Sequence, residues 1–172
     1  MQLELGQSKC YQMHVGKLKN TCCDLFIHGK QMQKTEKEKY LGNILTSNGK
    51  LEQNIHDRYS KGIGIINEIM GTIKEVSFGY HYFDIGLLFR NSKLINGILC
   101  SIEALYGLKT TDIEKLEKCD HLFFRQLFRS GAGTPIESFY LATNTLPIRH
   151  VIIGRRLMFL WTKVKVILSG SV

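Results

Sequence analysis

Cysteine and histidine side chains are the residues of this chain that could bind a metal ion or act as nucleophiles. The five cysteines and six histidines lack the paired spacings, such as Cys-x-x-Cys or His-x-x-x-His, that place ligands around one zinc ion. Cys119, Asp120 and His121 are consecutive, but consecutive side chains on a helix point in different directions. We therefore predict no metal site, no cofactor and no Cys–His catalytic pair. Asp120 is expected to pair with a polar group or to face a groove.

The basic residues indicate a different chemistry, the binding of phosphate groups. The formal net charge is +8, and the excess lies at the two ends of the chain. Residues 1–50 and residues 134–172 each carry a net charge of +4, whereas residues 51–133 are balanced. Such a distribution suits a polyanionic partner if the two ends meet at one groove. Ordinary solvation of surface charge is the alternative.

The spacing of the basic residues near the C-terminus places several of them on one helix face. Arg149, Arg156 and Lys163 lie one heptad apart, with Arg155 adjacent. Such a row can follow the phosphates of a duplex, which carries one charge per ~1.7 Å of its axis. A solvated helix face explains the row equally well.

The first fifty residues predict a small antiparallel hairpin or sheet. Residues 8–15 and 23–27 alternate apolar and polar side chains, as half-buried strands do, and Tyr40–Leu45 forms a third strand. Ser47-Asn48-Gly49 then marks a turn. A sheet of this size is not stable by itself, so it must pack on something else.

The remainder of the chain predicts helices, so the fold class is α+β and mostly α. Apolar residues recur at steps of three and four between Leu51 and Ile73. Arg58 and Lys61 lie beside this stripe, where they could line a minor groove. Capping boxes at Thr111-x-x-Glu114 and Thr134-Pro135-x-Glu137 predict two helix starts. The other predicted helices cover Phe83–Tyr106, Asp112–Arg129 and Pro147–Ile167, with a short one before the last.

Three short motifs occur in an order that is known from one protein family. Tyr40-Leu41-Gly42 lies between a strand and a long helix, and Leu105-Tyr106-Gly107 precedes a helix that opens Asp112-Ile113-Glu114-Lys115-Leu116-Glu117. Leu146-Pro147-Ile148-Arg149 leads into a helix that contains Arg155-Arg156. Over roughly residues 5–160 this order resembles the C-terminal part of the reverse transcriptase of non-LTR (LINE-type) retrotransposons, an RNA-directed DNA polymerase of transposable elements.

The resemblance implies roles for several residues. A lysine of the family's palm assists the departure of pyrophosphate, and Lys9 in Ser8-Lys9-Cys10 lies at the matching place. The Tyr40-Leu41-Gly42 hairpin would hold the primer terminus, because a glycine lets a nucleic-acid backbone approach closely. The helices would form the thumb. The chain contains no Asp-Asp pair, so the paired metal-binding aspartates of the family are missing, and Mg²⁺ is implied only for the intact polymerase.

The expected organisation follows from the resemblance. Residues 1–50 would be a palm-edge remnant with the hairpin, residues 51–133 a thumb-like helical bundle, and residues 134–172 a C-terminal helical extension. The chain would bind a template–primer duplex of RNA or DNA through its backbone, or the missing fingers and palm, without polymerase activity by itself. The residues expected to bind nucleic acid are Lys9, Tyr40, Leu41, Gly42, Arg58, Lys61, Arg149, Arg155, Arg156 and Lys163.

A degenerate or domesticated helical module that binds another protein through its apolar second helix is the alternative function. The apolar stretches around Leu87–Leu88 and Ile95–Leu105 are interrupted by Arg90, Lys93 and Glu103, so none is expected to span a membrane. Five cysteines without paired spacing favour a reducing intracellular location, the cytoplasm or the nucleus.

Overall fold

The computed structural model describes residues 10–15, 23–40, 42–76 and 81–168. The architecture is α+β and mostly α, with short paired strands followed by helices, as predicted. The strands are β1 (Tyr11–Gln12), β2 (Phe26–Ile27), β3 (Lys30–Gln31), β4 (Gln33–Lys34), β5 (Lys37–Tyr40) and β6 (Asn43–Thr46). The helices are α1 (Glu52–Val76), α2 (Tyr82–Phe89), a π-helical segment (Arg90–Ile95), α3 (Asn96–Leu99), a 3₁₀ turn (Ile102–Ala104), α4 (Thr110–Leu127), α5 (Ile136–Thr143) and α6 (Ile148–Leu168).

The chain divides into two compact units, Met1–Asn54 and Ile55–Val172. The predicted boundary at residue 50 lies close to this division, and the predicted boundary at residue 133 lies inside the second unit. In the first unit the described strands form three two-stranded pairs, β1 with β4, β2 with β3 and β5 with β6. The last two pairs are antiparallel, as predicted, whereas β1 and β4 run parallel.

The predicted strands of the first unit are longer than the observed ones, and the third is misplaced. In the β5–β6 hairpin Tyr40 pairs with Asn43, so the chain reverses between these two residues. Gly42 has a φ of +81°, a left-handed conformation that glycine adopts without strain. The prediction of one continuous strand over Tyr40–Leu45 was therefore wrong. Strand β5 was not predicted, because it is mostly exposed and its charged residues show no apolar alternation.

Helix α1 confirms the predicted apolar stripe. Ile55, Ile66, Ile69 and Ile73 are all almost completely buried. Gly62 belongs to the same face for a different reason, because a Cβ there would lie 2.8 Å from Cys119 Sγ on α4. The glycine thus permits α1 and α4 to approach closely.

The predicted second helix, Phe83–Tyr106, is interrupted. Helix α2 passes into the π-helical segment and α3, and Ser101 then has a left-handed φ of +55° before the 3₁₀ turn. The middle of this stretch lies in the core of the bundle, because Leu94, Ile98 and Ile102 have no exposed surface. A π-helical segment changes the direction in which side chains project from the helix, and such segments are frequent at functional sites. Here the segment begins at Arg90, which is buried.

Neither of the two predicted capping boxes forms. Helix α4 begins at Thr110, two residues earlier than predicted, and Asp112 Oδ2 accepts a hydrogen bond from the Lys109 amide at 3.0 Å. Helix α5 begins at Ile136, with Pro135 preceding its first residue and no capping side-chain hydrogen bond. The starts were therefore located to within a few residues, but the residues that cap them were not.

Candidate nucleic-acid interface

The hairpin tip presents two of the residues expected to hold a primer. The side chain of Tyr40 is 62% exposed. A Cβ at Gly42 would meet no atom within 4 Å, so the backbone there is open to an approaching molecule. Lys9 and Leu41 lie outside the described residues. The geometry of the tip thus leaves an aromatic face and an uncovered backbone available for contact.

Arg58 does not face a groove. Its side chain is only 4% exposed, and it donates hydrogen bonds to the carbonyl oxygens of Ile98 at 2.7 Å and Cys100 at 2.6 Å. These carbonyls lie where the second helix is interrupted, so the guanidinium satisfies acceptors that lack a helical partner. Burial lowers the pKa of Arg58 from its ordinary value. The expectation that Arg58 lines a minor groove is therefore replaced by a structural role, whereas Lys61 is exposed.

Arg149 forms a two-pronged ion pair with Glu117 on α4. Arg149 Nε and Nη2 donate to the two carboxylate oxygens of Glu117, each at 2.7 Å. These hydrogen bonds hold the pKa of Glu117 below its usual range and raise the pKa of Arg149. Half of the Arg149 side chain stays exposed, whereas the Glu117 side chain is 7% exposed. The pair joins α6 to α4 and leaves one edge of the guanidinium open to solvent.

Arg155 and Arg156 also contact their own chain. Arg155 donates to the Leu99 carbonyl at 3.1 Å and to Asn96 Oδ1 at 2.7 Å, and Arg156 donates to the Leu105 carbonyl at 3.4 Å. Lys163 is exposed, with its ammonium 5.5 Å from the ring centroid of Phe159. Three of the four basic residues predicted on α6 thus fasten this helix to the bundle.

The helical unit contains a cavity of about 530 Å³ that the sequence did not predict. The cavity contains the types of side chain that contact phosphates and bases, namely two cations, two amides and an aromatic ring. Four of its residues share one face of α1, but the others come from α2, from α4 and from the residues just after α4, so no single spacing in the sequence connects them. The lining residues are Asn67, Met70, Gly71, Lys74, Tyr82, Gln126 and Arg129.

Asp120 is the centre of a buried polar cluster, so the prediction that it pairs with a polar group is confirmed. Its two carboxylate oxygens accept from Arg90 Nε and Nη2 at 2.7 Å each, and Tyr140 Oη donates to Oδ2 at 2.9 Å. Arg90 Nη2 also donates to the Leu146 carbonyl at 3.0 Å, and the guanidinium lies 5.0 Å from the ring centroid of Phe124. Burial, aided by Asp120, raises the pKa of the Tyr140 hydroxyl. The cluster is internally saturated, so its role is to join four parts of the bundle.

Cys119 lacks the properties of a nucleophile. The side chain has no exposed surface, and burial together with Asp120 raises the pKa of its thiol to about 12. A thiol of this kind stays protonated and unreactive at neutral pH. Among the described residues no group of three or more His, Cys, Asp or Glu side chains is arranged to hold a metal ion.

Comparison of the chain with protein-family models, with curated proteins and with solved structures finds no match. None of the helices within the described ranges is long and apolar enough to cross a bilayer.

Proposed function

We propose that this chain is a reverse-transcriptase-like fragment that binds a template–primer duplex through the nucleic-acid backbone and has no polymerase activity by itself. It would work inside the cell, in the cytoplasm or the nucleus. The observation that carries the proposal is the tip of the β5–β6 hairpin, where exposed Tyr40 and open Gly42 precede the long helix α1. A primer-gripping hairpin followed by a helical thumb is the order that the resemblance implies.

Exposed cations support the binding of phosphate groups. Lys61 on α1 and Lys163 on α6 are exposed, and the open edge of the Arg149 guanidinium can still donate to a phosphate oxygen. Lys74 and Arg129 add two more cations at the cavity of the helical unit. Since none of these groups is placed to read base edges in a defined register, the proposal is binding without sequence preference.

Catalysis is not part of the proposal, because the sequence contains no Asp-Asp pair. In the family that the motifs resemble, paired aspartates hold the Mg²⁺ ions at which phosphoryl transfer takes place. This chain would contribute grip and positioning, and the acidic centre would have to come from fingers and palm that this sequence lacks.

A salt titration of binding to a labelled RNA–DNA primer–template tests the proposal. Each phosphate contact releases counterions, so log Kd should depend linearly on log salt concentration, and three to five contacts would give a slope of roughly 3 to 4. A single-stranded DNA of the same length and a duplex of unrelated sequence serve as comparison ligands. The proposal would be contradicted if the chain did not bind the duplex at high micromolar protein concentration, or if the slope were near zero.

Single lysine substitutions show which surface binds. Lys61→Ala and Lys163→Ala should each reduce the salt slope by about one and weaken binding equally for unrelated sequences. Lys118→Ala is the matched control, because Lys118 is an exposed helical lysine outside the predicted set. Equal losses of affinity in all three variants would indicate that binding depends on net charge alone. They would contradict the assignment of binding to the surface around Lys61 and Lys163.

A protein-binding module is the second candidate function, and one observation favours it. The central apolar side chains of the predicted second helix, Leu94, Ile98 and Leu99, are buried in the bundle and cannot contact a partner. Leu88 near its start is 65% exposed, and helix α6 exposes Leu157 by 62% and Trp161 by 66%. A protein partner would therefore contact α6 or the start of the predicted second helix, and not its centre. Association measured by light scattering, without any affinity for the duplex, would favour this candidate.

A further inference from the structure

One face of α6 is apolar and exposed along about four turns. Two large side chains, Met158 and Trp161, flank a central row in which each member exposes between 46% and 71% of its surface. The row consists of Ile153, Leu157, Leu160, Val164 and Ile167. An uninterrupted apolar row on the surface of a helix is more than the scattered exposure that single hydrophobic residues show.

The members of this row follow each other at alternating steps of four and three residues. That is the a/d spacing of a left-handed helix pair, in which each side chain inserts between side chains of the facing helix. The opposite face of α6 already packs on its own bundle through Ile148 and Ile152, which are buried. A second helix can therefore approach the row without displacing α6 from the bundle.

We propose that this row on α6 pairs with the same row of a second copy of this chain, with the two helices parallel. A row with a/d spacing is complementary to itself, so a two-fold axis along the helices brings each residue opposite its own equivalent. The resulting dimer does not depend on whether the chain binds nucleic acid.

The flanking charges select the parallel orientation. With Leu157 and Val164 at a positions, Arg156 and Lys163 occupy g positions. In an antiparallel pair the g positions of the two helices face each other, so these cations would repel. In a parallel pair each g position faces an e position of the second copy, which places Arg156 beside the aromatic ring of Trp161. This arrangement avoids like charges and adds a cation–π contact.

The area is sufficient for a reversible dimer. The five side chains of the row and Trp161 are each about half to two-thirds exposed. Together they would bury on the order of 1,000 Å² over both copies. Specific interfaces begin at roughly this area, and those at the lower limit are weak. We therefore expect a dissociation constant in the micromolar range.

Sedimentation equilibrium of the full chain between about 1 and 200 μM tests the dimer. The weight-average mass should rise from that of one chain toward that of two. Leu160→Glu places an unpaired charge in the centre of the row and should raise the dissociation constant at least about 100-fold. Thr162→Glu is the matched control, because it puts the same charge on an exposed part of α6 outside the row and should leave dimerisation unchanged. Circular dichroism should show unchanged helix content in both variants, because neither side chain is buried.

Cysteine cross-linking tests the orientation. In a parallel dimer Ile153→Cys lies opposite its equivalent, so mild oxidation should link position 153 to position 153 of the second copy, as peptide mass spectrometry would identify. In an antiparallel dimer that position instead faces the C-terminal end of the second copy's row, between positions 164 and 167. The proposal would be overturned by a chain that stays monomeric or that continues to associate beyond two copies. It would also be overturned if the Leu160→Glu variant dimerised as well as the unmodified chain, or if position 153 linked only to an Ile167→Cys variant.

Discussion

Three helical segments bring Arg90, Asp120 and Tyr140 together in the core, where the carboxylate of Asp120 has no exposed surface. Buried ion pairs are costly to desolvate, and they persist where hydrogen bonds satisfy every polar atom. This cluster meets that condition, because the guanidinium also reaches the Leu146 carbonyl before α6. The fold of the helical unit therefore depends on one carboxylate.

Removal of that carboxylate should be costly. We expect Asp120→Asn to lower the free energy of unfolding by about 3–5 kcal/mol, because a buried guanidinium would lose its counter-charge. Tyr140→Phe should cost less, about 1.5–3 kcal/mol, since it removes one hydrogen bond to the carboxylate and leaves the ion pair intact. Urea unfolding followed by circular dichroism measures both. Equal effects of the two substitutions would contradict the central role of Asp120.

The Glu117–Arg149 pair makes stability depend on pH in the acidic range. The folded-state pKa of Glu117 is lowered, so its contribution is complete above the unfolded value of 4.5 and is lost as pH falls through the folded pKa below that value. Glu117→Gln should therefore be less stable than the unmodified chain at pH 7, and the difference should shrink as the pH falls below 4.5. Urea midpoints across this range measure it, with exposed Glu75→Gln as the control. A difference that stays constant with pH would contradict the assignment.

At the scale of elements, the two glycines of α1 that are two positions apart have different environments. A Cβ at Gly62 would lie 2.8 Å from Cys119 Sγ and 2.9 Å from Ile98 Cγ2, whereas a Cβ at Gly64 would meet nothing within 4 Å. Helix α1 is therefore packed tightly on one side and open on the other.

Alanine substitutions should separate the two glycines. Gly62→Ala should destabilise the helical unit by about 1–3 kcal/mol, because α1 or α4 must move to accommodate the methyl group. Gly64→Ala should stabilise it by up to about 1 kcal/mol through helix propensity alone. Thermal unfolding of both variants measures the difference in sign. If Gly62→Ala also proved stabilising, the close approach of α1 and α4 would have to be abandoned.

At the scale of the whole molecule, the two compact units differ in how much they bury. None of the described residues between 10 and 53 is buried, whereas the helical unit has a core of aliphatic and aromatic side chains. Two-stranded pairs of exposed residues are marginally stable in water. The first unit should therefore open far more often than the second.

Amide hydrogen exchange measures this difference. We expect the amides of the described strands β2 to β6 to exchange within seconds to minutes at neutral pH. The amides of α1 around Ile66 and of α4 around Phe123 should exchange at least about 1,000-fold more slowly, because their exposure requires opening of the core. Slow exchange of the β5–β6 hairpin in the free chain would show that the hairpin is held by more than its own pairing.

Sequence alone was sufficient for features that depend on local chemistry. The fold class, the stripe of α1, the turn at Ser47–Gly49 and the polar pairing of Asp120 all follow from periodicity, turn preference or the cost of an unpaired buried charge. The resemblance of the Tyr40-Leu41-Gly42 motif supplied the functional proposal, which no periodicity could have supplied.

Only the tertiary structure decided what each basic residue does. Arg58, Arg149 and Arg155 resemble any other surface cation in sequence, but folding brings each beside acceptors about thirty or more positions away. The same applies to α6, whose apolar residues are buried on one face and exposed on the other. Heptad spacing identifies a face, but the packing of the remaining helices determines whether the face meets the core, a phosphate or a second chain, because burial depends on contacts that are distant in sequence.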